Sequence, residues 1–262
     1  MELKGKRIIL TGAAGGIGQH VAQLLAKKGA NLMLIGLTEQ PLKQLMERMD
    51  QPEKHHCLAV DLSNSANLQQ VVDLSIERLG GIDMLINNAG LLSFNRFSEE
   101  DPAAIEQLYR VNLLAPVLLT RAVLPHMLKN GCGNIVNIGS IFGSIAFSCF
   151  ATYSSSKFGI RGFSEALRRE LEESAIKVSY IAPRATRTPL NNSAVYRMSE
   201  AVKMPMDSPE LVARQIVAGI ECEAKDLYLG NPESLFVRLN ALLPRLVDRA
   251  LRKQNRIMQR FV

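Results

Sequence analysis

The amino-acid sequence predicts an α/β fold: one doubly wound, parallel sheet of about seven strands with helices on both faces, followed by an amphipathic helical extension at the C-terminal end. Three observations predict it. Short apolar runs alternate with longer amphipathic segments along most of the chain. The runs are continuously apolar, as expected for parallel strands that are covered on both faces. A glycine-rich turn joins the first run to the first helical segment.

The strand predictions rest on seven short runs that are rich in Ile, Leu, Val and Met. Each run is too short for a typical helix, and a helical pattern separates most of the runs from one another. Strands are predicted over Arg7–Leu10, Asn31–Ile35, His56–Val60, Met84–Asn87, Asn134–Ile138, Lys177–Ile181 and Asp226–Leu229.

The helix predictions rest on apolar residues that recur at helical spacing between these runs. Gly29 ends the first helix, as glycine commonly does. Helices are predicted over Ile17–Lys28, Pro41–Met49, Asn64–Leu79, Asp101–Lys129, Tyr153–Glu173 and Ser208–Glu223.

The segment Arg184–Asp207 interrupts the alternation. It contains two Pro, two consecutive Asn and three Met. Long irregular segments in compact domains are often lids or binding loops, and flexible methionines suit a surface that adapts to apolar ligands. The alternative is a poorly ordered surface loop.

Composition restricts the class of protein. The chain has 262 residues, of which 47% are hydrophobic and 21% charged, which is typical of a globular protein. The longest apolar run, Val111–Leu124, is interrupted by Asn112, Pro116 and Arg121, so no membrane span is expected and a cytoplasmic location is predicted. Four scattered cysteines predict neither a disulfide nor a metal site, and mostly buried thiols are expected.

The net charge of +6 is concentrated at one end of the chain. Residues 234–262 contain seven basic residues and one acid, whereas residues 1–233 are balanced. We therefore expect a body over 1–233 and a basic helical tail over 234–262. On a helical wheel the arginines oppose an apolar side, and Pro244 either interrupts or starts the main helix. The tail packs on protein or lies on an anionic membrane surface; the neutral body argues against a nucleic-acid partner.

The first strand runs into TGAAGGIG over residues 11–18, and a helix follows. Glycines at such a turn let backbone N–H groups approach a pyrophosphate and point a helix N-terminus at its negative charge. Alone the motif is weak, but its place after the first strand of a βαβ unit makes it much stronger.

Thr-Gly-x-x-x-Gly-x-Gly near the N-terminus resembles the short-chain dehydrogenase/reductase superfamily, whose sheet is Rossmann-like. Further motifs follow in order: Asp61-Leu62 after the third strand, Asn87-Asn88-Ala89-Gly90 after the fourth, Asn112, Ser140, and Tyr153-x-x-x-Lys157. The resemblance spans Lys4 to about Gly230 and implies an NAD(P)-dependent oxidoreductase. It implies cofactor contacts at Gly12, Ala14, Gly16, Ile17, Gly18, Asp61, Leu62, Asn88, Ala89, Gly90, Tyr153, Lys157, Pro183, Thr186 and Thr188.

Tyr153 and Lys157 share a helix face, because they are four residues apart. A nearby cation favours phenolate, so Lys157 is expected to lower the pKa of Tyr153 toward the range useful for proton transfer. The resemblance implies that Tyr153 exchanges a proton with the substrate oxygen and that Ser140 hydrogen-bonds this oxygen. It also implies that Lys157 holds the nicotinamide ribose and that Asn112 connects Lys157 to solvent.

The cofactor type is not fixed by the sequence. Gly36 and Leu37 stand where relatives carry an acid for NAD or a base for NADP. The missing acid gives a slight preference for NADP(H). Arg184 replaces the family's usual glycine after Pro183, and it either binds an anionic group of the substrate or cofactor or points to solvent.

Phe142, Phe147 and Phe150 lie between Ser140 and Tyr153, so an apolar ketone or secondary alcohol is expected as substrate. Two alternatives remain: a non-catalytic, dinucleotide-binding redox sensor of the same fold, which would typically lack the Tyr or Lys, and an epimerase or dehydratase. The resemblance also implies a homodimer or homotetramer.

Overall fold

The computed structural model describes residues 1–262 and contains one seven-stranded parallel sheet, ordered β3-β2-β1-β4-β5-β6-β7. The predicted doubly wound α/β fold is therefore confirmed. The order reverses direction between β1 and β4, which is where open α/β sheets form a binding crevice. The strands are β1 (Arg7–Thr11), β2 (Asn31–Gly36), β3 (His56–Ala59), β4 (Met84–Asn87), β5 (Gly133–Ile138), β6 (Ile176–Ala182) and β7 (Asp226–Tyr228).

Ten helices surround the sheet. Helices α1, α2 and α8 bury side chains such as Leu25, Leu42 and Ile216 against one face. Helices α3, α5 and α6 bury Val71 and Val123 among others against the opposite face. The helices are α1 (Gly16–Lys27), α2 (Glu39–Glu47), α3 (Leu68–Leu79), α4 (Pro102–Tyr109), α5 (Ala115–Asn130), α6 (Ala151–Glu170), α7 (Ser193–Ala201), α8 (Pro209–Glu221), α9 (Glu233–Leu242) and α10 (Pro244–Met258).

Helices α4 and α5 are joined by a π-helical turn, Arg110–Leu114, into one helix of 29 residues, Pro102–Asn130. By length and hydropathy this helix could cross a membrane. The expectation that Asn112, Pro116 and Arg121 interrupt any such segment is therefore wrong. The π turn accommodates Asn112, and Pro116, the second residue of α5, comes just after it. The helix nevertheless packs on β4, β5, α3 and α6 as a layer of the fold.

The segment Arg184–Asp207 is not wholly irregular, because α7 lies within it. Asn192, one of the two consecutive asparagines, caps this helix by accepting a hydrogen bond from the Val195 N–H at 2.9 Å. Val195 and Met198 are buried on its inner side. The segment is thus a helical flap that is packed on the body rather than a surface loop.

The tail forms a helical hairpin of α9 and α10, and Pro244 starts its longer helix. Its apolar side packs on the body: Val237 and Val247 contact Ile141 and Ile145, and Met258 is fully buried. Packing on its own body is therefore observed, although several tail leucines stay exposed.

The expectation of mostly buried thiols is wrong. Cys132 and Cys222 are exposed and Cys57 and Cys149 are partly buried, all four as free thiols. Cys222 follows the last residue of α8, and Cys132 lies between α5 and β5.

Candidate active site

A cavity of about 460 Å³ opens at the carboxyl ends of β1, β4, β5 and β6. It combines a polar side around the glycine-rich turn with an apolar side under α7. Most predicted site residues line it: Gly12, Ala14, Gly16, Ile17, Gly18, Asn88, Ala89, Gly90, Ser140, Tyr153, Lys157, Pro183, Thr186 and Thr188.

The glycine-rich turn fits a dinucleotide phosphate. Helix α1 begins at the cavity with no side-chain cap and no acid in its first turn, so its N-terminal N–H groups are available to an anion. The turn is also closely packed. A Cβ on Gly18 would lie 2.1 Å from the Gly12 carbonyl oxygen, and one on Gly16 would lie 2.6 Å from Thr188. Glycine is therefore required at both positions.

Asn88 locks this turn to the neighbouring strand. Its amide donates to the carbonyls of Thr11 at 3.0 Å and Gly12 at 3.1 Å. The Thr11 hydroxyl in turn accepts the N–H groups of Asn88 at 2.9 Å and Ala89 at 3.1 Å. Thr11 thus supports the phosphate-binding turn, a role that its position as the first residue of the motif did not reveal.

Ser140 follows β5 and is held by Tyr180 on the adjacent strand β6. The Tyr180 hydroxyl donates to the Ser140 carbonyl at 3.1 Å, and Tyr180 is fully buried. Gly139 and Gly143 make room for its ring, since a Cβ on either would lie within 2.6 Å of Tyr180 atoms. The role of Tyr180 was not predicted from the sequence. A tyrosine inside a buried strand, combined with glycines before and after Ser140, could have indicated this contact.

Tyr153 and Lys157 project from the first two turns of α6 toward the cavity. Burial raises the pKa of the Tyr153 hydroxyl above its ordinary value, and the neighbouring Ser140 hydroxyl offsets this only in part. The expected lowering of this pKa by Lys157 is therefore wrong for the protein alone. The Lys157 Nζ lies 5.8 Å from the centroid of the Tyr153 ring and donates to the Ile138 carbonyl at 3.2 Å.

Lys157 itself is 5% exposed and lies in a site without a carboxylate partner. Burial lowers its pKa to about 8. The ammonium is thus still mostly protonated at neutral pH, but its desolvation lowers the stability of the fold.

Asn112 lies behind the cavity wall rather than in it. In the π turn its Oδ1 accepts the Leu91 N–H at 2.7 Å, while its Nδ2 donates to the Leu91 carbonyl at 2.9 Å and to Ser156 at 3.1 Å. A Cβ on Gly90 would lie 3.5 Å from Asn112 Oδ1 and 3.7 Å from Lys157 Nζ. Both groups therefore flank Gly90, and π turns often occur at such functional positions.

The apolar side of the cavity is formed by aromatic and sulfur-containing side chains. Phe142 and Phe150 pack edge-to-face with ring centroids 4.9 Å apart, and Phe142 lies against the Tyr153 ring at 6.0 Å. Helix α7 and the residues after it close this side, and Met258 of the tail supports it from behind. The further lining residues here are Leu92, Leu190, Val195, Met198, Met204 and Met206.

Arg184 lines the cavity and does not point freely to solvent, so that alternative is wrong; the other, binding of an anionic group of the substrate or cofactor, stays a prediction. Its guanidinium makes two hydrogen bonds to the Asp207 carboxylate at 2.7 and 2.8 Å. It makes a third to Glu233, at the start of the tail, at 3.0 Å. These carboxylates raise the pKa of Arg184. Arg184 thus ties the flap to the tail, a role that needs partners distant in sequence.

Asp61 and Leu62 lie beyond β3, outside the walls of this cavity. The Asp61 carboxylate accepts the Ser63 N–H at 2.8 Å in a local turn. Their assignment to the adenine end of the cofactor stays a prediction.

Comparison with known proteins tests the resemblance. The family model described as short chain dehydrogenase matches residues 6–198. The chain belongs to this family. It is 30% identical over 261 residues to the uncharacterised oxidoreductase YxnA of Bacillus subtilis, covering 96% of this chain and 73% of that protein. It is 33% identical over 247 residues to 3-ketodihydrosphingosine reductase of Mus musculus, covering 88% and 71%.

The fold agrees with a solved structure of the same family. The short-chain dehydrogenase/reductase from Burkholderia phymatum, crystallised in complex with NAD, superposes with a TM-score of 0.83 at 22% identity, covering 94% of this chain and 96% of that one. The protein is thus a short-chain dehydrogenase/reductase, an oxidoreductase whose glycine-rich turn fits a nicotinamide dinucleotide. The prediction of an enzyme of this class is confirmed.

Proposed function

We propose that this enzyme interconverts apolar ketones and secondary alcohols with a nicotinamide cofactor, with Tyr153 as the acid and base. One observation carries the proposal: Ser140, Tyr153 and Lys157 lie where the polar and apolar sides of a single cavity meet. The cofactor supplies or accepts the hydride when bound. The protein positions the reactants and moves the proton.

The chemistry of the chain's own residues favours carbonyl reduction. A tyrosine whose pKa is raised by burial keeps its proton at neutral pH and can donate it to a developing alkoxide. The Ser140 hydroxyl would donate to the same oxygen and so stabilise negative charge as it forms. Lys157, which lies beside Gly90, would hold the nicotinamide ribose of a bound cofactor and supply a positive charge there.

The apolar side of the cavity favours an apolar substrate. Phe142, Phe150 and the flap residues Val195 and Met198 offer no charged group to a ligand, so affinity depends on buried apolar area. The name of the mouse relative, 3-ketodihydrosphingosine reductase, refers to reduction of a keto group on a sphingoid base, which agrees with this class.

The decisive experiment follows oxidation of the reduced cofactor with ketones of increasing chain length. We expect kcat/KM to rise with chain length and Tyr153→Phe to lower it by roughly 100- to 10,000-fold. Cofactor affinity should stay within a few-fold. Turnover by Tyr153→Phe close to wild type, or a preference for charged ketones, would overturn the proposal.

For the cofactor we propose NADP(H), because no acid stands at Gly36 or Leu37 to repel a 2′-phosphate. Glu39 is the nearest acid in the chain, and Lys43 pairs with it at 2.8 Å. Parallel titrations with NADPH and NADH test this; a clear preference for NADH would contradict it.

We further propose a homodimer or homotetramer in the cytoplasm, built on α5 and α6. Leu114 in the π turn before α5, Leu128 on α5 and Phe158 on α6 are 40 to 49% exposed, although each is apolar. Light scattering at micromolar concentration tests the assembly, and Phe158→Ser should weaken it if α6 lies in the interface.

A further inference from the structure

The tail hairpin presents an outward surface that the proposed reaction does not use. We define the apolar corner as five side chains of the hairpin: Leu235 and Phe236 in the first turn of α9, and Leu242, Leu243 and Leu246 where α9 meets α10. Their exposed fractions run from 45% for Phe236 to 78% for Leu242. Five of the twelve large apolar side chains exposed on the whole protein thus fall within twelve consecutive residues. Such clustering marks an interaction surface.

The same hairpin carries a basic stripe, Arg245, Arg249, Arg252 and Arg256, at helical spacing along α10. The buried residues of α10 that pack on the body include Val247 and Met258. Each lies two positions after an arginine of the stripe, Arg245 and Arg256 respectively. Two positions correspond to about 200° around a helix, so the stripe faces away from the body. The body thus covers one side of α10 and leaves the arginines outward.

These charges have no partner within the protein. None of the seven basic residues of 234–262 forms an ion pair, whereas basic residues of the body such as Arg7, Arg168 and Arg184 do. Asp248 is the only acid of residues 234–262, and Glu233 at the start of α9 is already paired with Arg184. An outward, unneutralised basic stripe therefore adjoins an exposed apolar corner.

We propose that the tail hairpin docks on an anionic phospholipid membrane, with the stripe on the headgroups and the corner inserted at the boundary of the acyl chains. Basic residues near an anionic surface contribute about 1 kcal/mol each, and exposed leucines add apolar burial. A second copy of the chain fits less well, because a symmetric contact would oppose two arginine stripes. A nucleic acid would pair its phosphates with the arginines, but it would make no contact that explains the exposed leucines.

Docking would place the bilayer next to the substrate side of the cavity. Met258 belongs to the same α10 and packs in one cluster with Phe150, Val195 and Met198. The outer side of this helix faces the proposed membrane and its inner side supports the cavity wall. The docking surface itself does not depend on the proposed substrate.

The test is co-sedimentation of the full-length protein with vesicles of phosphatidylcholine alone and of phosphatidylcholine mixed with phosphatidylglycerol. We expect binding only to the anionic vesicles, weakened by salt. The combined variant Arg245→Gln, Arg249→Gln, Arg252→Gln should bind roughly 100-fold more weakly. The combined variant Leu242→Ser, Leu243→Ser, Leu246→Ser should also bind more weakly while keeping its salt dependence.

A matched control changes three exposed lysines of the body, Lys27, Lys54 and Lys129, to glutamine and should bind as wild type. Reduction of a short soluble ketone should be unchanged in all variants, which separates this proposal from the proposed reaction. Wild type that does not sediment, or that sediments equally with neutral vesicles, would overturn the proposal. The proposal would also be overturned if the leucine variant bound both anionic vesicles and duplex DNA as tightly as wild type does. The surface would then bind polyanions in general rather than a membrane.

Discussion

The two sides of the cavity are built in different ways. The cofactor side uses the ends of the central strands and a closely packed turn. A Cβ on Gly12, Gly16 or Gly18 of this turn would lie only 2.1 to 2.8 Å from the nearest neighbouring atom. The substrate side uses elements outside the sheet: the flap with α7, and the tail that supports it. One side is fixed by backbone geometry and the other by side-chain packing.

This difference separates reaction class from specificity. Backbone positions at strand ends leave little freedom, so the cofactor side tolerates few changes. Packing of apolar side chains tolerates volume-conserving exchanges, so the substrate side can change its shape while the fold remains. The substitutions that follow change one side of the cavity at a time.

The largest expected effect is on the cofactor side. Gly18→Ala places a methyl group against the Gly12 carbonyl oxygen, so the turn must move away from its phosphate-binding geometry. We expect cofactor affinity to fall by roughly 1,000-fold, or about 4 kcal/mol. Fluorescence titration with the reduced cofactor measures it.

Gly162→Ala is the matched control, since a Cβ there meets nothing within 4 Å on α6. It should leave affinity unchanged and raise stability by about 0.5–1 kcal/mol. Cofactor affinity of Gly18→Ala within threefold of wild type would contradict a turn fixed by its backbone.

The second effect concerns the buried charge of the cofactor side. Below pH 8 the ammonium of Lys157 is desolvated but still charged, so the fold is destabilised there; the penalty disappears as pH rises from about 8 toward 10.5. Lys157→Met should therefore raise the free energy of unfolding at pH 7 by up to about 3 kcal/mol while abolishing turnover.

Chemical denaturation at several pH values checks this, and the gain should shrink as pH rises above 8. Lys177→Met changes an exposed lysine on β6 and should show no such gain. If Lys157→Met instead lowered the free energy of unfolding at pH 7, burial of the Lys157 ammonium would not destabilise the fold.

The third effect is on the substrate side. Met258→Ala removes a fully buried side chain of the tail and leaves a void behind the cavity wall, which should cost about 2 kcal/mol of stability. We expect KM for long-chain ketones to rise several-fold with cofactor affinity unchanged. Ile257→Ala, at the neighbouring half-buried position, is the control. If Met258→Ala lowered cofactor affinity as much as it raised KM, the two sides of the cavity would not be independent of each other.

The smallest effect is at the connection between flap and tail. Arg184→Met leaves Asp207 without its partner and should lower stability by about 1–2 kcal/mol. KM should rise slightly while kcat stays the same. Arg187→Met, an exposed neighbour without an ion pair, should change neither value. If Arg184→Met changed cofactor affinity more than KM, Arg184 would act on the cofactor side of the cavity instead.

The sequence predicted the cofactor side because its determinants are local. A glycine turn after a strand, and a Tyr and a Lys one turn apart, can be recognised from short spacings. The partners of Arg184 and Tyr180 could not be predicted, because they come from segments distant in sequence. Helix α7 was missed since consecutive asparagines suggested a loop, although Asn192 is a cap. The pKa of Tyr153 was misjudged because spacing indicates proximity to Lys157 but not burial.

The dependence of the substrate side on Met258 has a consequence for the order in which the protein is made. The segments of the cofactor side are complete once Thr188 has been synthesised. The side chain that supports the substrate wall follows some 70 residues later, which takes roughly 4 to 14 s of translation. A nascent chain therefore contains every residue that lines its nucleotide-binding crevice before it contains the residue that supports the substrate wall.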